Sequence, residues 1–288
     1  MELALLRHRG PGLVSVLSLL HEVHQGDLAL RRFAAARSAR RLQARACAVL
    51  PHPRGRRDRR GPPAELDQAV GRAARGEPLL SEATRRCIDS PGARDLRGRG
   101  VTVAVIDSGV NPEHPHVGAV AGGARIELSG EHSGDYVDRL GHGTAVFAAI
   151  QEKAPSARMF ALRVFTDRLR TSVRALVAAI EWAAEREVRV VNLSLGTLRE
   201  EHAPMLEAAV DRLAAAGGVV VAAATADGQR WWPGSLPRAL GVVTDERCPR
   251  GCVEVWGGEG GRSEVVAAAP YPRPIPGIPR ERNLNGIS

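Results

Sequence analysis

Residues 101–109 read VTVAVIDSG, six apolar or β-branched residues running into an aspartate, a serine and a glycine. A run of that length without polar alternation is the pattern of a strand buried on both faces. Small and turn-forming residues at its end let the chain leave the sheet. Outward from this point the same grammar repeats as far as about residue 270. HGTAVFAAI (142–150) begins a helix and ARMFALRVF (157–165) is a strand. In SVRALVAAIEWAAE (172–185), Val173, Leu176, Val177, Ile180 and Ala184 fall on one helical face. VRVVNLSL (188–195) is a strand, APMLEAAVDRLAAAG (203–217) a helix ended by Gly217, and GVVVAAA (218–224) a strand. Strands alternating with helices through short connections predict an α/β fold of three layers: a mainly parallel sheet with helices on both faces. In such sheets chemistry gathers just beyond the carboxyl ends of the strands.

Composition agrees with that architecture. Aromatic residues make up 3% of the chain, while the apolar fraction of 44% is ordinary for a globular protein. Small aliphatics pack a parallel sheet well and an aromatic-rich sandwich poorly. The net charge of +8 is unevenly placed: residues 1–100 hold 20 Arg against 10 Asp and Glu, and Lys153 is the single lysine. PHPRGRRDRRGPP (51–63) reads as a linker, because Pro, Gly and like charges oppose a packed core. Residues 1–50 show some helical periodicity, and residues 64–90 have room for a short helix. The organisation expected is an Arg-rich extension, 1–95, partly disordered or propeptide-like, and a domain from 96 to 288.

The arginines invite a nucleic-acid reading, but no aromatic interleaving or repeat offers bases a stacking surface. A solvated segment is the expectation, with no nucleic-acid partner. No apolar run is long enough to cross a bilayer, so no membrane partner is expected. LVSVLSLL (13–20) follows Arg7 and Arg9, yet Glu2 stands in the would-be basic region and no small-residue cleavage site follows directly. The expected location therefore leans to the cytoplasm. Cys248 and Cys252, in CPRGC, are able to close a small disulfide or to supply two metal ligands; without a second Cys/His pair at zinc-ribbon spacing they read as ordinary loop thiols. His114 and His116 in EHPHV read as turn histidines, and neither metal nor cofactor is expected.

Asp107 lies at the ligand-binding edge of the sheet; alone it reads better as a turn or capping aspartate. His142 follows one βα-sized segment later at a helix start, flanked by glycines that allow close backbone approach. The two are able to form a hydrogen-bonded pair in which the carboxylate fixes the tautomer and stabilises the imidazolium.

Taken in order, VAVIDSGVNPEHP (103–115), GHGTAVFAAI (141–150), AAIEWA (178–183) with VVNLSLG (190–196), VVVAAATADG (219–228) and WPGSLPRALGVV (232–243) resemble the subtilisin-like serine proteases. The resemblance covers residues from about 100 to 288. It implies serine-type endopeptidase activity on a peptide or protein substrate, by a triad of Asp107, His142 and Ser288. Ser288 would be the nucleophile, with Gly286 in place and Ile287 where the family usually has threonine. It further implies that Ser194, Leu195 and Gly196 pair with extended substrate as an added strand, and that the Trp232–Pro233 bond is cis.

The sequence also departs from the family. AAATADG puts Thr225 and Ala226 where the family has the glycine and the oxyanion-hole asparagine, leaving Ser288 and Ala226 as the oxyanion-hole positions with the side-chain donor gone. The chain stops at the nucleophile, before the apolar helix and the following C-terminal helices of the family, as a truncated coding sequence would. Only QEKAPS (151–156) separates the His142 helix from the next strand, so the calcium-binding loop of many relatives is expected to be absent. TDRLRTS (166–172) lacks the glycines usual at the substrate edge. The alternative is a catalytically impaired pseudoprotease or fragment that at most binds peptides.

Overall fold

The computed structural model describes residues 96–165, 170–226, 229–256, 265–271, 273 and 274, with the backbone of two further strands at 2–4 and 84–87. Ser288, Gly286 and Ile287 lie outside the described residues, as do the linker and most of the Arg-rich segment.

One ten-stranded sheet organises the molecule. The strands in chain order are β1 (Glu2–Ala4), β2 (Thr84–Cys87), β3 (Thr102–Asp107), β4 (Gly123–Ile126) and β5 (His132–Ser133). There follow β6 (Arg158–Arg163), β7 (Arg170–Ser172), β8 (Val190–Leu193), β9 (Val219–Ala223) and β10 (Thr225–Ala226). The last are β11 (Gln229–Arg230), β12 (Ala239–Thr244), β13 (Cys252–Trp256) and β14 (Val265–Ala268). Helix α1 spans His142–Lys153, α2 Val173–Glu185 and α3 Ala203–Ala215. The sheet order is β2-β13-β14-β12-β9-β8-β3-β6-β4-β5. From β14 through β4 every neighbouring pair is parallel, and the antiparallel pairs sit at the edges. This is the mainly parallel α/β sheet that the strand–helix alternation predicts.

Each central strand is buried on both faces, and its alternation sorts side chains into two cores. Ala104 and Ile106 of β3 join Leu162, Val191, Leu193 and Val220 under α2 and α3. Val103 and Val105 point the other way, with Met159, Ala161, Val190 and Val221, under Val146, Phe147 and Ile150 of α1. The face expected on α2 is the one used: Val173, Leu176 and Ile180 are buried, and Val177 and Ala184 pack against the same core. Ser172 caps this helix by accepting from Ala175 N–H at 3.0 Å. Helix α3 stops where Gly217 takes a φ of +84°, a left-handed conformation that glycine enters without a Cβ clash.

Two edge features reach beyond the domain limits expected from sequence. β2, from within residues 1–95, pairs antiparallel with β13 and places Cys87 opposite Cys252 in register. β1 pairs with β7 in a separate two-stranded sheet. The expectation of a pair of loop thiols is corrected. Cys248 is a buried thiol outside any disulfide, whereas Cys252 opens β13 and is disulfide-bonded. The CPRGC spacing suggested a bond within the loop, and with Cys248 outside any disulfide that pairing is not the one formed. Among the described residues, no helix is long and apolar enough to cross a membrane, and no cluster of three or more His, Cys, Asp or Glu is placed to hold a metal.

Candidate active site

Asp107 ends β3 and His142 opens α1, so the parallel sheet delivers an acid and a base to one rim. The Asp107 side chain is fully buried and that of His142 nearly so. His142 Nδ1 lies 2.7 Å from Asp107 Oδ1. A carboxylate oxygen only accepts, so the ring donates through Nδ1–H and keeps Nε2 as its free basic nitrogen. Ser108 N–H donates to the same carboxylate oxygen at 2.7 Å. Asp107 Oδ2 is buried with no partner.

The rim is tied together by its own backbone. Ser108 Oγ accepts from Gly143 N–H at 2.8 Å, joining the end of β3 to the first turn of α1. Gly143 has no room for a side chain, since a Cβ there would stand 2.2 Å from the Gly109 carbonyl oxygen. That close approach, which the glycines around His142 suggested, brings the imidazole within reach of Asp107.

Two further residues hold the site, and sequence reasoning passed over both. The N-cap of α1 is Gly141, which has no side chain to cap with. Asp138 caps in its place. Its Oδ1 accepts from Leu140 N–H at 2.8 Å and Gly141 N–H at 2.9 Å. Its Oδ2 accepts from Thr144 N–H at 2.8 Å and from the Thr144 hydroxyl at 2.5 Å. The Thr144 oxygen in turn accepts from Asn111 N–H at 3.0 Å, drawing the loop after β3 against the helix. An acid four residues before a histidine at a helix start was the available signal. Arg163, paired in register with Asp107 across β3 and β6, is 1% exposed and donates from Nη1 to Asp135 Oδ2 at 3.1 Å. An arginine inside the apolar strand ALRVF was its signal.

Electrostatically the base is poised. Burial alone would lower the basicity of His142, but the Asp107 charge and hydrogen bond, with a contribution from Asp138, outweigh it and hold the imidazole above its ordinary value. His114 and His116 stand edge to face, 5.3 Å apart, in the turn after β3. With Arg273 and Thr144 they border a cavity of about 390 Å³ beside α1 that neither Asp107 nor His142 lines.

Ser194, Leu195 and Gly196 continue β8 beyond the sheet at this same rim. Asn192 donates to the Ser194 hydroxyl at 3.2 Å, and Leu195 is fully buried. Thr225 and Ala226 continue from β9 as β10, which folds back on β11. The Trp232–Pro233 peptide is cis. The structure thus brings Asp107, His142, the Ser194–Gly196 segment and the Ala226 backbone to the carboxyl edge of one sheet.

A three-layer parallel sheet with a buried Asp–His pair at that edge defines the class of subtilisin-like α/β proteins. The sequence profile of the subtilase family matches residues 98–266. Subtilisin Savinase of Lederbergia lenta is 34% identical over 184 residues, which cover 59% of this chain and 66% of that protein. Subtilisin E of Bacillus subtilis is 36% identical over 160 residues, 50% of this chain and 41% of that protein. Among solved structures, the nisin leader peptidase NisP from Lactococcus lactis shares 20% identity at a TM-score of 0.42, covering 50% of this chain and 58% of that one. The chain belongs to the subtilase family. Its matched part spans less than two thirds of the length of these relatives.

Proposed function

We propose that this chain is a serine-type endopeptidase domain in which Asp107, His142 and Ser288 form the catalytic triad. The observation that carries the reading is the buried 2.7 Å bond from His142 Nδ1 to Asp107 Oδ1 at the rim of the sheet. With Nδ1 committed to the acid, Nε2 is the base that removes the Ser288 hydroxyl proton as the oxygen attacks the peptide carbonyl. The imidazolium so formed stays stabilised by Asp107 and returns its proton to the leaving amine. Water, activated by the same nitrogen, then releases the acyl group. Substrate is held as an added strand along Ser194–Gly196, whose backbone supplies affinity while side-chain pockets supply selectivity.

The oxyanion is served by the Ser288 N–H without a side-chain donor at Ala226. Loss of one such donor lowers turnover by roughly 10²–10³, a magnitude taken from subtilisin itself. That same substitution favours a second reading, a pseudoprotease that binds extended peptides at this edge without cleaving them.

Labelling of the full chain with a fluorophosphonate separates the two. Incorporation at Ser288 that is lost in His142→Ala supports the peptidase. A folded protein that binds peptide but takes no label supports the pseudoprotease.

A further inference from the structure

β8 and β9 are parallel neighbours as far as Leu193 and Ala222, and the segments Ser194–Gly196 and Ala224–Ala226 follow directly from them. The turn from Trp231 to Leu236 stitches these two ends together. Trp231 N–H donates to the Ala224 carbonyl at 2.8 Å, and the Ser235 hydroxyl donates to that oxygen at 2.8 Å. Trp232 and Thr197 exchange two backbone bonds of 2.9 Å on the other side. The Trp231 side chain is left between the two ends. It packs with Ala223 and is 4% exposed. It also lies so close to Gly196 that a Cβ at that glycine would stand 2.9 Å from Trp231 Cε3.

A peptide laid along Ser194–Gly196 sends alternate side chains to opposite sides of its strand. Those directed toward Ala224 and Thr225 enter the gap that the indole occupies. The indole Nε1–H is buried there without a hydrogen-bond partner. A phenyl ring would fill the core without leaving that donor unpaired, so packing alone does not account for a tryptophan. What tryptophan adds is reach across the gap.

We infer that Trp231 restricts the substrate residue on the acyl side of the scissile bond to small side chains, such as glycine, alanine or serine. This rests on the peptidase reading above. Thr225, half-buried at the start of β10, stands where the family has glycine.

The test uses two peptidyl aryl phosphonates that differ only in carrying alanine or phenylalanine next to phosphorus, with a plain fluorophosphonate as reference. Full-length protein should react with the alanine probe at least about tenfold faster, since even one methylene in a size-selective pocket discriminates by about 10–200-fold. Trp231→Ala should shrink or invert that ratio, and Trp231→Phe, which keeps a ring in the core, should fall between. An unchanged ratio in Trp231→Ala, or equal rates in the unsubstituted protein, overturns the inference while leaving the peptidase reading intact. Failure of the plain fluorophosphonate to label overturns the peptidase reading instead. Size selection is then decided by titrating the unreactive alanine and phenylalanine peptides while following the Trp231 indole N–H resonance. Tighter binding of the alanine peptide sustains the inference, and equal binding ends it.

Discussion

Asp107 and His142, 35 residues apart in sequence, meet at 2.7 Å with both side chains buried. The bond works in two directions. It opposes the desolvation that would otherwise weaken the base, and it fixes which ring nitrogen is free. Because the folded imidazole titrates above its unfolded value near 6.5, protonated His142 contributes stability fully below about that pH. The contribution is lost as pH rises through the folded value. Catalysis needs the neutral ring, so activity should climb over the same interval. Asp107→Asn removes the charge that offsets burial, and the His142 titration followed by NMR should move to lower pH. Turnover should fall by about 10⁴, the loss seen when a triad aspartate becomes asparagine. A titration that stays in place would show that Asp107 does not set the basicity of the ring.

Asp138 raises the same imidazole from greater distance while capping its helix. Asp138→Asn keeps the size and part of the hydrogen bonding but loses the charge. The His142 titration should shift down by less than in Asp107→Asn. Asp138→Ala also loses the cap and should cost about 1–2 kcal/mol in urea unfolding. If both variants unfold alike and neither moves the titration, Asp138 acts only as a structural cap.

The parallel sheet, its three helices and the Asp107–His142 pair were legible because each depends on local pattern: buried apolar runs, a 3.6-residue face, and glycines around one histidine. The partner of Arg163 was not legible. A charge in a strand is tolerated only when a distant loop, here the one holding Asp135, supplies its counter-charge. Trp231 was not legible either, since no local pattern tells a packed indole from one lodged between two strand ends. Cys252 escaped for a similar reason: strand pairing between residues far apart in sequence has no signature in CPRGC. The role of Ser288 came from family resemblance and stands outside the described residues.

Arg163 and Asp135 allow a direct check on how the loop before α1 is anchored. Arg163 is buried and Asp135 is partly exposed, so water already shares the cost of separating them. Removing one partner of a buried pair costs about 3–5 kcal/mol, and Arg163→Ala should fall near the lower figure by urea denaturation. Arg163→Met, which refills the volume without a charge, should recover most of that loss. Equal destabilisation by both would mean that the charge, rather than the volume, is what the fold requires.

Restoring the missing oxyanion donor is the most direct chemical test. Ala226→Asn places a side-chain amide at the position where the family carries one. Labelling and hydrolysis should rise by up to about 10²–10³ with little change in substrate affinity, because that bond strengthens only as the oxyanion forms. An unchanged rate would mean that the β10–β11 turn directs the position 226 side chain away from the carbonyl, or that another donor, such as the Thr225 hydroxyl, already serves.

The disulfide at Cys252 bears on where the protein works. Such bonds persist in oxidising compartments and are rare in the cytosol, so the state of Cys252 in cells tests the cytoplasmic leaning of the N-terminal sequence. Non-reducing peptide mapping of protein isolated from its native cells should recover Cys252 in a cross-linked peptide that separates on reduction. Cys248, a buried thiol, should alkylate only after unfolding. Reduction should lower unfolding stability by about 2–4 kcal/mol, the usual contribution of a native disulfide. The register sets Cys87 against Cys252 on β13, so the loss should appear first as hydrogen exchange along the β2–β13 edge, with the His142 helix still protected. Full occupancy would argue for export. Cys252 recovered as a thiol from intact cells would favour the cytoplasmic location.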